Sequence, residues 1–318
     1  MIFFITFIRA LAACFITNAH YTGVYPTDII ANGGLVGDIL FFAVSGYCLY
    51  SANKNFPMWY GKRLIRCYLP VIIITVIYLI LGYYSLEDKS LFNWLVYPTN
   101  YHFVASIVVL YIPYYIVMKT PALRNRLGLI AGIVACGYVI VYIFAFDKSA
   151  YHIDYVYSPM IWFLYFESML LGAWFRQNDD KLRNRFHWGY LLGAVISFCA
   201  YFASKLLFSK KAELSNYQIF NQIIIFILLY FVFRTFAGLD SKLEKLPSWI
   251  KKIISFLAKI TLEIYVVQYA LIDLLRPVGH FPLNWFVLTA SILIAATALH
   301  YICQLILSTG EKLLAKAK

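Results

Sequence analysis

The chain has 318 residues, of which 62% are hydrophobic and only 13% are charged, and its mean hydropathy is +0.73. Soluble globular domains average about 45–50% apolar residues, so this composition excludes a water-soluble domain and indicates a polytopic membrane protein. The net charge of +12 is accordingly interpreted as a topology signal and not as a surface for nucleic acid. The six cysteines are isolated and show no metal-ligand spacing, so we expect neither a metal site nor a disulfide framework.

Apolar stretches follow one another along the whole chain. About 20 apolar residues cross the roughly 30 Å of hydrocarbon in a bilayer. Ten stretches approach or reach this length, and they lie at 2–19, 33–52, 65–84, 101–118, 127–146, 159–175, 188–208, 217–236, 253–275 and 283–307. Because the connections are short, we predict an all-α fold: one transmembrane domain over 1–318 with about ten membrane-spanning helices.

The basic residues are distributed unequally between the two sets of alternating connections. The connections 53–66, 119–126, 176–187 and 234–259, together with the tail 308–318, hold twenty Lys and Arg, whereas the others hold six. Connections rich in Lys and Arg face the cytoplasm in most membrane proteins. We therefore predict that both termini are cytoplasmic, which agrees with an even number of spans.

The first apolar stretch contains Arg9 and ends at His20. A charged residue inside a spanning helix costs at least about 2.5–3.5 kcal/mol on insertion scales. The eleven positions between Arg9 and His20 make about three helical turns, so both side chains project from nearly one face, about 16 Å apart. One face thus carries a cation at mid-depth and a titratable imidazole at one end. The alternative interpretation is an Arg9 that snorkels to the membrane surface.

Asp38 lies about five residues into the second apolar stretch, at nearly the same predicted depth as His20. A carboxylate beside an imidazole fixes its tautomer and raises its basicity, which prepares a general base. The alternative is that Asp38 only neutralises Arg9. The residues leave both pairings open.

A basic segment precedes the third stretch. Lys62, Arg63 and Arg66 are spaced three and four apart, so on a helix they share a face. Three cations at a cytoplasmic end suit a polyanionic phosphate. The alternative is an ordinary basic inner connection.

Other polar residues fall inside predicted spans. Glu167 has no local partner, so we expect it to face the protein interior. Lys259 and Glu263 are four apart, and we expect them to neutralise each other. His300 is interpreted as a packed histidine.

Three motifs together resemble the membrane acyltransferase-three family, bacterial integral-membrane enzymes that acylate cell-surface glycans. The first is Arg9, ten intervening residues and His20. The second is GGLVGDILFFAVSGYCL at 33–49, which is similar to the family's second helix and includes Asp38. The third is the basic segment 62–66 followed by Pro70.

The specific motifs cover mainly the first 70 residues, and two later stretches, at 162–175 and 260–272, fit the family more loosely. Many relatives carry a histidine near the end of the penultimate helix, where this chain has Gln268. A serine that begins the same motif is replaced here by Thr261. These departures put a second catalytic histidine at this place in doubt.

The resemblance implies an O-acyltransferase of the bacterial inner membrane that takes its acyl group, usually acetyl, from cytosolic acyl-CoA. The basic segment would hold the phosphates of the donor, and membrane lipid would surround the helices. His20 would take the proton from a glycan or lipid-linked sugar hydroxyl, supported by Asp38. Arg9 would stabilise the thioester or hold the donor. A transient acyl-histidine is a second mechanism, and no metal is implied.

A transporter or flippase for a lipid-linked sugar or small anion is the alternative function. Intramembrane charges mark transport paths as readily as catalysis. Transporters often show internal repeats with interrupted helices in both halves. Here the charged signature is concentrated in the first quarter of the chain, which favours the enzyme, and the presence of both Arg9 and His20 disfavours an inactive relative.

Overall fold

The computed structural model describes residues 2–96 and 101–316, and over these residues the secondary structure is helical, without a strand. Of the twenty basic residues counted above, Lys318 lies outside the described residues. The longer described helices, numbered in chain order, are α1 (Phe3–Ala19), α2 (Gly34–Leu49), α3 (Phe56–Ile80), α4 (His102–Lys119), α5 (Leu127–Phe144), α6 (Ile161–Gln177), α7 (Trp188–Lys210), α8 (Ile219–Gly238), α9 (Ser248–Lys259), α10 (Thr261–Leu275) and α11 (Leu283–Lys316).

Helices form at each of the ten predicted stretches, but they differ in their capacity to span a bilayer. Six of the described helices are long and apolar enough: α3, α4, α5, α7, α8 and α11. A seventh span results if α9 and α10, which are bent by 69° at their break, are counted together. Helices α1 and α2 are shorter apolar helices. The count of ten spans and the cytoplasmic termini stay predictions.

The chain forms two compact units, each built from separate segments. The first takes Met1–Ala12, Leu35–Phe56 and Val109–Ser255, and the second takes Ala13–Gly34, Pro57–Val108 and Phe256–Lys318. Helix α1 therefore begins in the first unit and ends in the second. The single domain over 1–318 stays a prediction.

In the first unit, α2 and α6 meet backbone to backbone. A Cβ added to Gly172 would lie 1.9 Å from the carbonyl oxygen of Ala43, and one added to Gly46 would lie 2.1 Å from that of Met169. Small residues allow such close approach between helices in membranes, where dispersion contacts replace the hydrophobic effect. The Tyr114 hydroxyl from α4 donates to the Gly46 carbonyl at 2.5 Å. This contact fixes the helix that carries Asp38.

In the second unit, tyrosines bind the backbone of α10. The Tyr78 hydroxyl from α3 donates to the carbonyl of Val267 at 2.7 Å, and the Tyr101 hydroxyl donates to that of Val266 at 3.2 Å. Tyr84 lies between them in sequence and shares a hydrogen bond of 3.0 Å with Tyr101. Buried hydroxyls need such partners, because an unpaired one costs about 1–3 kcal/mol. The bonds hold α10 in a defined position within this unit.

Candidate functional site

Arg9 lies on the part of α1 that belongs to the first unit, where it is half-buried. Its guanidinium group lies beside the side chain of Cys48, and its Nε atom is buried without a hydrogen-bond partner among the described residues. No carboxylate within the described part of this unit forms a salt bridge with Arg9. In particular, no salt bridge joins Arg9 to Asp38, the pairing that the sequence left open as the alternative. A half-buried guanidinium group with an unpartnered Nε atom is suited to bind an electron-rich atom of a ligand.

Asp38 is buried in α2, and its partner is a tyrosine. The Tyr165 hydroxyl of α6 donates to Asp38 Oδ2 at 2.9 Å, and the ring of Phe42 stacks on Tyr165 with centroids 4.2 Å apart. The bond satisfies one oxygen of a carboxyl group that is only 7% exposed. The pairing of Asp38 with His20 stays a prediction.

Replacing Tyr165 with phenylalanine is expected to destabilise the protein by about 1–3 kcal/mol, because Asp38 loses the donor that compensates its burial. The measurement is the midpoint of denaturation of the purified protein in detergent. Tyr155→Phe is the matched control, because the Tyr155 side chain is 58% exposed. Equal stability of Tyr165→Phe and the control would show that the hydrogen bond contributes nothing.

His20 follows α1 directly, and its backbone N–H closes the helix by donating to Thr17 O at 3.1 Å. The imidazole meets the ring of Tyr269 edge-on, with centroids 5.1 Å apart. Partial burial removes water from the ring and lowers the pKa of His20 to about 4. The imidazole is therefore neutral at neutral pH and can accept a proton.

The aromatic surroundings of His20 were not anticipated from the sequence. Tyr269 contacts Tyr101 and Tyr265, with ring centroids 5.6 Å and 5.8 Å away. Tyr265 and Tyr269 are four residues apart on α10, which places both rings on one face of the helix. This spacing is the signal in the sequence that indicates an aromatic surface here. His20 thus lies beside phenol rings, which contribute apolar surface and hydroxyl groups.

Gln268 is fully buried on α10, and neither its Oε1 nor its Nε2 atom has a hydrogen-bond partner among the described residues. A buried amide without partners is costly, and a ligand or water that binds it would offset the cost. The amide occupies the place where the resembled family has a histidine. It can donate and accept a hydrogen bond but cannot carry a proton at neutral pH.

The basic segment lies within α3, which begins at Phe56, nine residues earlier than the predicted stretch. Pro57 near the start suits the first turn of a helix, where its missing N–H costs nothing. Arg63 is held by Trp59: the guanidinium lies 3.8 Å from the indole centroid and donates to the Trp59 carbonyl. Lys62 and Arg66 are exposed. The three cations therefore share one helix but differ in how freely they can meet a phosphate.

Glu263 does not pair with Lys259. Its Oε1 atom lies 2.7 Å from Nδ1 of His300, whereas the ammonium of Lys259 lies over the ring of Tyr301, 5.8 Å from its centroid. The expected neutralisation fails because the bend at Ile260 separates the two residues onto different helices. Glu263 instead joins α10 to α11.

Glu167 faces a cavity of about 250 Å³ in the first unit, between α5, α6 and α8. The side chain is buried, and its Oε1 atom has no hydrogen-bond partner among the described residues. The surrounding wall is apolar and includes Leu170, Trp174 and Phe226. The expectation that Glu167 faces the protein interior is confirmed.

A second cavity, of about 640 Å³, lies in the second unit beside the connection that follows His20. Its wall includes Tyr25, Arg276, His280 and Phe281. Over the described residues, no group of three or more His, Cys, Asp or Glu side chains is placed to hold a metal ion.

A family model described as an acyltransferase domain matches residues 2–305 of the chain. This range contains every candidate residue described above. No curated protein and no solved structure shows significant similarity to the chain.

Proposed function

The chain belongs to the acyltransferase-three family, so it is a membrane acyltransferase, and from this membership we propose a specific reaction. The enzyme transfers an acyl group, with acetyl as the favoured group, from cytosolic acyl-CoA to a hydroxyl of a cell-surface or lipid-linked glycan. We place it in the bacterial inner membrane. The observation that carries the proposal is helix α1. It bears Arg9, which has no carboxylate partner among the described residues, and it leads directly to a neutral His20.

In the proposed reaction, His20 accepts the proton of the sugar hydroxyl while the oxygen attacks the thioester carbonyl. The carbon–sulfur bond then breaks, and the departing thiolate of coenzyme A takes the proton back from the imidazolium. The products are the sugar ester and free coenzyme A, and the imidazole of His20 returns to its neutral form. A positioned general base contributes about 10²–10⁴-fold in rate. Attack by the imidazole itself, giving an acyl-histidine, is the competing route.

Arg9 and Asp38 take supporting roles in this proposal. The Arg9 guanidinium stabilises the negative charge that develops on the thioester oxygen, where a preorganised donor contributes strongly in a dry site. Asp38 fixes the tautomer of His20, as carboxylates do for catalytic histidines.

The direct test is acyl transfer by purified protein in lipid nanodiscs, using radiolabelled acetyl-CoA and lipid-linked saccharides from a bacterial membrane extract. We expect label in the saccharide fraction and a stoichiometric release of coenzyme A. Movement of saccharide across sealed vesicles without consumption of acetyl-CoA would replace this proposal with the transporter alternative.

Donor binding is assigned to Lys62, Arg63 and Arg66, whose charges suit the phosphates of coenzyme A. In the Arg63→Ala/Arg66→Ala double variant, KM for acetyl-CoA is expected to rise about tenfold or more, because charge-assisted hydrogen bonds contribute about 1.5–3 kcal/mol each. KM for the acceptor should change little.

Steady-state kinetics with each substrate varied in turn provide the measurement for this double variant. Lys245→Ala/Lys252→Ala is the matched control, because it removes two exposed basic residues elsewhere in the chain. Equal increases in both KM values, or an increase of the same size in the control, would remove the phosphate role from α3.

A further inference from the structure

The cavity of about 640 Å³ in the second unit is formed by two connections that were not part of the predicted site. Residues 23–26 form one wall. The other wall is formed by residues of the connection from α10 to α11, between 276 and 281, and by Asn284 in the first turn of α11. Its volume falls within the range of about 300–1,000 Å³ that is usual for small-molecule sites. The first of these two walls begins at Gly23, only three residues after His20 along the chain.

The walls of this cavity are fastened to each other by hydrogen bonds. Asn284 Nδ2 donates to the carbonyl of Val24 at 3.1 Å, and Trp285 Nε1 donates to the Tyr25 hydroxyl at 3.1 Å. The Tyr25 hydroxyl in turn donates to Asn18 Oδ1 at 2.6 Å. The connection after His20 is thereby tied to the start of α11, so the site is largely formed before a ligand binds.

Arg276 is positioned by Asp273 and by the turn at Gly23. Its Nη2 atom lies 3.0 Å from Asp273 Oδ1, and Asp273 also accepts a hydrogen bond of 2.5 Å from the Tyr83 hydroxyl. Gly23 has a φ of +77°, and a Cβ there would lie 2.9 Å from Cδ of Arg276, so a glycine is needed at this turn. Because Asp273 compensates the charge of Arg276, the cavity suits a hydroxyl-rich ligand better than a polyanion.

The cavity and the basic segment lie towards opposite ends of α3. Tyr83, which binds Asp273, follows the end of α3 at Ile80, whereas Arg66 lies fourteen residues before that end. At 1.5 Å per residue, this separation is about 21 Å along the helix axis. With the predicted orientation, the cavity opens on the outer side and the basic segment on the cytoplasmic side.

We propose that this cavity is the subsite for the acceptor saccharide, an inference that rests on the proposed acyl transfer. A pyranose ring has apolar C–H faces and polar hydroxyl edges. The rings of Tyr25 and Phe281 present apolar surface to such a face. Arg276 and His280 supply hydrogen-bonding groups for the hydroxyls. The ligand is thus a short, neutral saccharide that presents one hydroxyl towards His20.

Binding of methyl glycosides to purified full-length protein tests this assignment without requiring activity. Saturation-transfer NMR with the methyl pyranosides of glucose, galactose, rhamnose and N-acetylglucosamine is expected to show binding of at least one glycoside. Phe281→Ala and Arg276→Ala should each weaken that binding about tenfold, as expected for the loss of a stacking surface or a charged donor. Phe286→Ala is the matched control, because Phe286 is 61% exposed and does not line the cavity.

Retained binding in Phe286→Ala, together with weakened binding in the two cavity variants at unchanged melting temperature, supports the subsite. Wild-type binding in both cavity variants, or no binding of any glycoside, overturns it. A protein that binds glycosides at this cavity but never consumes acetyl-CoA would retain the subsite and lose the proposed acyl transfer. A protein that transfers acetyl groups with the same acceptor KM in all three variants would retain the transfer and lose the subsite.

Discussion

Replacing His20 with alanine is expected to lower the rate of acyl transfer by about 10²–10⁴-fold while the protein stays folded. The imidazole is the only group proposed to take the proton from the acceptor hydroxyl, so its loss removes the general base. The substitution removes the edge-on contact with Tyr269, and such aromatic contacts contribute about 0.5–1.5 kcal/mol to stability in addition to the burial of their surface. The measurement is the initial rate of coenzyme A release, with the dissociation constant of acetyl-CoA measured in parallel.

His187→Ala serves as the control for this experiment, since His187 is exposed on the first unit. Donor binding should be unchanged in both variants. A His20→Ala enzyme that retains wild-type turnover would remove His20 from the chemistry.

The pH dependence gives a second readout of the same residue. Because His20 must be neutral to accept a proton and its pKa is about 4, kcat/KM in the wild type should stay level as the pH falls through about 6.5, the ordinary pKa of histidine. The rate should fall only as the pH approaches 4 and the imidazole becomes protonated.

Replacing Gly172 with alanine is expected to have the largest effect on folding. The new Cβ would lie 1.9 Å from the carbonyl oxygen of Ala43 and 2.9 Å from the backbone nitrogen of Tyr47. Both neighbouring atoms belong to the backbone of α2, so rotation of a side chain cannot relieve the clash. Helix α6 must instead move away from α2. Overpacking in a core typically lowers folding stability by about 1–3 kcal/mol. Because the clash here is with rigid backbone, we expect a loss of about 3 kcal/mol or more. We expect a large fall in melting temperature and a loss of activity, because α2 carries Asp38.

The matched control for Gly172→Ala is Gly132→Ala. Gly132 lies within α5, and a Cβ there would meet no atom within 4 Å. The same chemical change should leave stability unchanged or raise it by up to about 1 kcal/mol, the difference in helix propensity between glycine and alanine. Melting temperatures of both variants, measured by tryptophan fluorescence in one detergent, decide the comparison. A Gly172→Ala protein as stable as the wild type would show that α2 and α6 do not meet in this way.

The helical fold could be predicted from composition and hydropathy because a membrane-embedded chain must satisfy its backbone hydrogen bonds within each segment. The family could also be predicted, because its motifs are local: Arg9 and His20 belong to one helix, and 62–66 is one continuous segment. What hydropathy does not determine is helix geometry. The bend at Ile260 leaves no composition signal, yet it separates Lys259 from Glu263 and leaves Glu263 to pair with His300.

Contacts between distant segments could not be predicted for the same reason. The partners of Asp38 and His20 are Tyr165 and Tyr269, which are 127 and 249 positions away along the chain. In a chain with 27 tyrosines, no local pattern distinguishes these two from the rest. The cavity beside Tyr25 likewise depends on two connections that are brought together only by folding.

Helices α1, α2 and α10 have 17, 16 and 15 residues, so at 1.5 Å per residue each is about 23–26 Å long. The hydrocarbon core of a bilayer is about 30 Å thick, and helices shorter than this thin the lipid or admit polar groups from the membrane surface. Arg9, Asp38 and Gln268 all lie on these short helices, and His20 directly follows one of them. On helices of this length, each of these polar side chains lies nearer to a membrane surface than it would at the centre of a full-length span, and we expect this position to lower the free-energy cost of holding it within the membrane.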